Sequence, residues 1–525
     1  MSISRTKTIL RSLAFFLVVA VSPWVVIDTA IPFSAQDFPL IDDWAFTHGA
    51  YAFFHNHELD YQNWGSLPLL GQWLWSLPFL AVLGDSHLTT RVSTIVLSWL
   101  GLWAFYALLR RQTGVSPSRA AFATACLAWN PYFFVLSGTF MTDVPALSFA
   151  LIALALYAHA LDSGRLLSLA AAFLAASAAV ATRQNALAAP LTAGVMLLLS
   201  GYRTKPLWIA AVAVPTVLTF VLDAWLHSRP DVVPLHARVP NLDDVCWLAF
   251  TSAHYLGLLT IPLLLLLPPA RLGKVFWAVL AIMAAAASWL VLMLPSYQHE
   301  GVFPYIGDLF LPSGTYVRMG NDRIPLFSRH VRLLPTALGC VCAAVLSARV
   351  AEQGWRLASR PLVIFSLLQL AALAIAPKYY DRYLLPLVPG AVALAVGEPG
   401  RPWWKAGLAA LLVLGGLSVC LMHDWLSWNA ARWELGRRAA VVHGIEPGDI
   451  RGGFEWDHYY PRSHSSHYRL ALSPSRSCAT IDVEPYTLWF PPRKRAMYLE
   501  QLPCEASDPM PQPEDERNRQ DAKRR

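Results

Sequence analysis

The chain has 525 residues, of which 55% are hydrophobic and only 14% charged, and its mean hydropathy is +0.42. These fractions lie above the apolar and below the charged content of soluble globular chains, and so exclude that class. The net charge of +7 calls for no nucleic-acid partner, because the basic residues gather in short loops between apolar runs and in the terminal Lys523-Arg524-Arg525.

Apolar runs recur from the N-terminus to about residue 422, each of roughly the length that crosses ~30 Å of hydrocarbon. About thirteen transmembrane helices are predicted, at 11–31, 90–109, 119–138, 144–161, 166–182, 186–200, 206–226, 247–268, 275–295, 331–350, 361–377, 383–397 and 404–422. This is the pattern of an all-α polytopic membrane protein. Arg5, Lys7 and Arg11 precede the first run and place the N-terminus in the cytoplasm by the positive-inside bias. Every second loop after it carries bases: Arg110, Arg111 and Arg119, then Arg165, then Arg203 and Lys205, and so on to Arg401 and Lys405. The opposite loops carry acids, among them Asp37, Asp42, Asp43, Asp143, Asp231 and Asp381. An odd number of spans leaves the chain beyond 422 periplasmic or extracellular. No Asn-x-Ser/Thr acceptor occurs, which leans toward a bacterial protein of the cell inner (plasma) membrane.

The first outer loop, 32–89, holds an amphipathic stretch at 44–58 and a Trp-rich stretch at 69–83. The latter is expected to lie as a helix in the membrane interface. A second long outer loop covers 296–330. Residues 423–505 are expected to form a small extracytoplasmic domain, α/β or β-rich, around Trp456, Ile481 and Trp489, followed by a disordered tail at 506–525. Cys478 and Cys504 are the only cysteine pair in this outer region, where oxidation is permitted, and are expected to bridge. Cys126, Cys340, Cys342 and Cys420 lie within spans and are read as packing residues.

Two acidic motifs fall where spans meet the outer face, Ile41-Asp42-Asp43-Trp44 and Thr142-Asp143-Val144-Pro145. An unpaired carboxylate in hydrocarbon costs several kcal/mol, so acids collect at span ends or in protein-lined cavities. The plain structural reading makes Asp42 the cap of the 44–58 helix, and Asp143 a cap with Pro145 in the first turn. The chemical reading makes them part of a catalytic site. Arg91, Arg183, Lys378 and Arg382 fall at the same boundary, where their alternative fate is to snorkel to headgroups.

The order of these features resembles the GT-C superfamily of integral-membrane glycosyltransferases, in particular the bacterial branch near aminoarabinose transferase and the protein O-mannosyltransferases. The resemblance covers roughly residues 10–400. It rests on Asp42-Asp43 early in the first outer loop and Arg91 entering the second span. Phe140-Met141-Thr142-Asp143-Val144-Pro145 before the fourth and Lys378-Tyr379-Tyr380-Asp381-Arg382-Tyr383 late in the membrane domain complete it.

The resemblance implies a GT-C-like transmembrane glycosyltransferase domain at 1–422, a polyprenyl-phosphate-linked sugar donor, and inverting transfer with an outer-face Asp as general base. Asp42 matches the base, Asp43 orients a partner, and Asp143 completes the catalytic set. Arg91, Arg183, Lys378 and Arg382 are candidates for the donor phosphate, and Tyr379, Tyr380 and His330 for substrate. The family's Lys-Pro after the first loop's aromatic residues is missing: Tyr61-Gln62-Asn63-Trp64-Gly65-Ser66-Leu67-Pro68 holds no base. Acceptors of this class are lipids, glycans or proteins, met among membrane lipids. No cofactor is assigned; a divalent metal stays open, since two or three carboxylates are able to hold one. Two other readings stand beside this one, a polysaccharide ligase or polymerase using a lipid-diphosphate donor, and a lipid or sugar transporter.

Overall fold

The computed structural model describes residues 3–233, 239–240, 242–266, 273–293, 329–354, 360–376, 380–396, 404–461, 466–475, 477–490 and 492–502. The chain divides into two compact units between His423 and Asp424, a point inside the helix Trp404–His443.

The first unit is helical. Helix α1 (Ile3–Ala30) leads to the segment 32–86, which contains α2 (Asp43–Asn56) and α3 (Leu70–Leu83). Helix α4 (His87–Thr113) starts on Ser86, whose hydroxyl accepts from the Thr89 amide, and stops at Gly114 in the left-handed region (φ 61°). Arg110 and Arg111 in its last turn complement the negative end of the helix dipole. After α5 (Pro117–Ala128) and α6 (Pro131–Ser137) come α7 (Asp143–Ser163), α8 (Leu166–Thr182), α9 (Ala188–Leu198) and α10 (Pro206–His227). Further helices follow at Leu242–Leu259, Ile261–Leu264, Lys274–Met293, Arg329–Gln353, Pro361–Ala374 and Val388–Ala395.

Small residues set the helix spacing. Helix α7 packs on α4, where Gly101 lies against Ser148, and on α8 through a buried set that includes Ala153, Ala160, Ala172 and Ala176, with Tyr157 donating its hydroxyl to the Ala211 carbonyl. Gly71 brings α3 so close to α8 that any side chain there would meet the Ala178 carbonyl oxygen. Close backbone approach of this kind is how helices associate where lipid supplies no hydrophobic driving force.

Among the described residues, five helices are long and apolar enough to cross a membrane: His87–Gln112, Asp143–Ser163, Pro206–His227, Leu334–Glu352 and Trp404–His443. The count becomes six if α5 and α6, bent by 66°, form one span. Seven further apolar helices have 10–17 residues. Thirteen full-length spans are not confirmed among the described residues, and proline explains part of the difference. The 119–138 run breaks at Asn130-Pro131, where the Asn130 side chain accepts from the Tyr132 amide and starts a new helix. The 383–397 run opens as a 3-10 turn (Asp381–Leu387) containing Pro386 before it becomes α-helical at Val388. The last run does not stop at 422. Its helix continues to His443, since Trp425 to His443 contains no proline and Gly444, in the left-handed region (φ 65°), is the first residue past its end.

In the second unit, β1 (Ile450–Arg451), β2 (Tyr468–Ala471), β3 (Ala479–Trp489) and β4 (Pro492–Gln501) form one sheet in the order β1-β2-β4-β3. The β1–β2 pair is parallel and the others are antiparallel, with Val483 opposite Tyr498. Met497 and Leu499 of β4 are fully buried, as are Trp456 of the short helix Phe454–Tyr459 and Leu435 of the long helix. The sheet matches the expected small β-containing region. Cys478 is disulfide-bonded, and Cys126, Cys246, Cys340, Cys342 and Cys420 are free. Cys504, the loop 296–328 and the tail from 506 lie outside the described residues.

Candidate active site

Just before α2 the chain turns sharply at Ile41, whose φ of 52° is left-handed. A β-branched residue rarely adopts that conformation, at a cost of order 1–3 kcal/mol, and such strain concentrates at functional sites. The turn separates two adjacent carboxylates into different settings.

Asp43, the first residue of α2, is wholly buried. It accepts from the amides of Leu40 and Phe140 (3.3 Å to the latter), and Nε of Arg91 lies 3.6 Å away. Arg91, in the first turns of α4 and also buried, donates to the carbonyls of Gln36 (2.6 Å) and Phe38, and lies 5.3 Å over the Phe38 ring. Residues 36–43 are thus wound around one guanidinium. Asp42 sits at the cap position of α2 without a side-chain capping bond, and its carboxylate faces Nη2 of Arg382 at 3.6 Å.

Asp143 is the first residue of α7, and Thr142 holds the cap position. Its Oδ1 lies 2.5 Å from Nη1 of Arg183, which also donates to the Thr142 hydroxyl at 3.2 Å. Arg183 ends α8 in extended backbone and lies 4.6 Å over the Tyr383 ring. Arg382 lies over the rings of Tyr380 (5.5 Å) and Tyr383 (5.7 Å), which meet edge-to-face at 5.3 Å. One connected path therefore runs Asp42–Arg382–Tyr383–Arg183–Asp143. Asp43 joins the same neighbourhood through Phe140, three residues before Asp143. The three candidate acids each face one of three candidate arginines.

A partly enclosed cleft opens beside this path, lined by Asp143, Arg183, Asn185, Phe365, Gln369 and Tyr383 among others. Its atom-free space, counted out to the open mouth, is about 300 Å³, and its interior admits roughly one water-sized group. Within the molecule, the second carboxylate oxygen of Asp143 is buried with no hydrogen-bond partner. A buried acceptor in this state calls for a donor from outside the chain.

Another ion pair fastens the segment between α2 and α3. Arg229 chelates Asp231 (2.8 and 2.9 Å), donates to the Leu59 carbonyl at 2.6 Å and lies over the rings of Tyr61 and Trp225, both at 5.3 Å. Asp231 in turn accepts from the Tyr61 amide. Hydrogen bonds from Arg229 hold the Asp231 carboxyl below the usual carboxylate range, and burial pushes the Tyr61 phenol up. The segment that lacks the family's Lys-Pro is therefore fastened, with the Tyr61 hydroxyl donating to the Pro68 carbonyl.

Lys378 and Tyr379 lie outside the described residues. His330 falls in the first turn of Arg329–Gln353, and its side chain is outside the described set. Among the described residues, no group of three or more His, Cys, Asp or Glu side chains is arranged to hold a metal ion. Sequence reading missed Gln369, Asn185 and Tyr383 as site residues. Gln369 had a signal, an amide among Leu367, Leu368, Leu370 and Ala371 in a run long enough to enter a membrane.

Residues 66–225 match the family model described as dolichyl-phosphate-mannose-protein mannosyltransferase. That segment carries α3, Arg91, Asp143 and Arg183. Among solved structures, ArnT from Cupriavidus metallidurans is 13% identical, with a TM-score of 0.42 over 96% of this chain and 100% of that one. The same protein bound to undecaprenyl phosphate gives a TM-score of 0.41, 13% identity and coverage of 95% and 99%. The oligosaccharyltransferase AglB from Archaeoglobus fulgidus gives 0.40 and 12% identity over 84% of this chain and 58% of its own. No curated protein matches the chain. The family-model match covers less than half of the chain.

Proposed function

We propose that this protein transfers a sugar from a polyprenyl-phosphate donor to an acceptor hydroxyl at the outer face of the membrane, with inversion at the anomeric carbon. The observation that carries this is the single connected path of Asp42, Arg382, Tyr383, Arg183 and Asp143, assembled from four separate stretches of chain. It joins a carboxylate that retains some exposure to two guanidiniums, the groups that acceptor activation and phosphate departure require.

Asp42 takes the proton of the acceptor hydroxyl, a task worth roughly 10²–10⁴ in rate. The acceptor oxygen then attacks the anomeric carbon on the face opposite the phosphate. The carbon–oxygen bond to phosphate breaks, and the polyprenyl phosphate departs with its electron pair. Arg382 and Arg183 offer fixed positive charge to that phosphate, in place before the reaction and so free of solvent rearrangement. Arg91 holds the loop 36–43, because its donors are turned to two backbone carbonyls and to Asp43. Asp43 orients that loop and is not the base.

Membranes containing the protein are expected to move label from an undecaprenyl-phosphoryl mannose, glucose, arabinose or aminoarabinose into a lipid, glycan or protein fraction. Transfer only from an undecaprenyl-diphosphoryl oligosaccharide would instead indicate a ligase or polymerase. Movement of sugar lipid across sealed vesicles without transfer would indicate a transporter.

The chemistry also requires one topology. A reporter fused after Leu421 is expected to be active on the outer side only, and one after Arg203 in the cytoplasm only. A cytoplasmic signal from the first fusion would remove the shared outer face on which the mechanism depends.

A further inference from the structure

Gln369 lies in the helix Pro361–Ala374 and is 2% exposed. Its Nε2 donates to the backbone carbonyl of Asn185 at 3.0 Å. That bond fixes which way the amide points, because a carbonyl only accepts and the flipped amide would set oxygen against oxygen. Oε1 is therefore the other end, and it is buried without a hydrogen-bond partner. Gln369 and Asp143 line the same cleft, and each presents one unpartnered acceptor oxygen.

Two buried acceptors left without donors are costly, each by the desolvation of a polar group. The neighbouring Arg183 does not relieve Asp143 Oδ2, since its Nη1 is directed to Oδ1 and to the Thr142 hydroxyl. The space admits roughly one water-sized group, which suits a hydroxyl and not a whole ring. In the proposed reaction the acceptor hydroxyl belongs at Asp42, so a hydroxyl entering this cleft comes from the transferred sugar.

We propose that Gln369 is a specificity-determining residue whose Oε1 accepts the single O–H of one hydroxyl of the transferred sugar; a hydroxyl has one proton to donate, so Asp143 Oδ2 takes its donor from a different group. This rests on the polyprenyl-phosphate transfer reading. It deepens that reading by giving the sugar a recognition point on a helix that carries none of the candidate catalytic acids.

The test is a chemical cycle between donor and protein. The undecaprenyl-phosphoryl sugar that the wild type accepts is compared with each of its mono-deoxy forms, in wild type and in Gln369→Met, which keeps side-chain length without the amide. One mono-deoxy donor is expected to lose at least ~10-fold in kcat/KM with the wild type, because a site built to pair a hydroxyl rejects the analogue lacking it. Gln369→Met should lose about as much with the complete donor and little more with that deoxy form, so the two losses do not add. Affinity for sugar-free undecaprenyl phosphate, read by displacement of a fluorescent analogue, should stay within about 2-fold, since the amide touches no phosphate in this scheme. Additive losses, or an equal loss of affinity for the sugar-free lipid, would return Gln369 to packing or to holding a water. A wild type indifferent to every single deoxygenation would overturn the proposal even if the variant fails to fold. If the wild type uses no complete polyprenyl-phosphate sugar, the transfer reading itself falls and takes this inference with it.

Discussion

Asp42→Asn is expected to lower sugar transfer by at least ~10²-fold while the protein inserts and unfolds thermally as the wild type does. The amide keeps the size of the side chain and an oxygen toward Arg382, but it cannot take a proton from an acceptor hydroxyl. Stability should hold, because Asp42 makes no side-chain capping bond and its contact with Nη2 of Arg382 spans 3.6 Å. Asp143→Asn should also lose activity, since its carboxylate both fixes Arg183 at 2.5 Å and faces the cleft. Asp43→Asn should cost less activity per molecule folded. Initial rates per inserted protein, with thermal unfolding in detergent as the control, separate these cases. Near-full activity in both Asp42→Asn and Asp143→Asn would leave the two acids as residues that merely begin helices, and the family resemblance alone would not justify the mechanism.

The sequence made the acids legible because membranes punish stray charge: a carboxylate beside an apolar run has few reasons to exist. The same argument picked out Arg91, Arg183 and Arg382, yet it did not say which arginine meets which acid. Asp42 and Arg382 are 340 positions apart, and only the packing of α2 against distant turns decides such pairs. Asp43 illustrates the limit well. Its neighbour at 42 has the same chemistry, and only the left-handed turn at Ile41 sends one carboxylate inward and the other toward the arginine–tyrosine path. The helices α2 and α3 were readable to within a few residues, 44–58 against Asp43–Asn56 and 69–83 against Leu70–Leu83, since aromatic and apolar spacing sets their type. Span ends were less legible. Proline at 131 and 386 shortens runs that hydropathy joins, while the polar but helix-favouring stretch from Asp424 to His443 lengthens one that hydropathy ends.

Arg91→Leu is expected to destabilise the protein severely, by about 3–5 kcal/mol, because it leaves the Asp43 carboxylate buried and uncompensated. Three losses coincide. The Arg91 guanidinium no longer faces Asp43 at 3.6 Å, the Gln36 and Phe38 carbonyls lose their donor, and the Phe38 ring loses its cation. The leucine chain fills most of the volume, so packing alone does not account for a loss of that size. The expected readouts are a sharply lower yield of folded protein in detergent and a lower thermal midpoint. Adding Asp43→Asn in the same chain should restore much of the stability, since the amide removes the uncompensated charge yet still accepts from the Leu40 and Phe140 amides. Activity should return less fully than stability, because the carbonyls of residues 36 and 38 remain unheld and the loop carrying Asp42 is free to shift. A misplacement of about 1 Å is enough to cost on the order of 10²-fold in rate. If Arg91→Leu folds normally but loses donor affinity, the arginine binds phosphate after all, and the division between a holding pair at Arg91–Asp43 and a reacting path at Asp42–Arg382 would have to be redrawn.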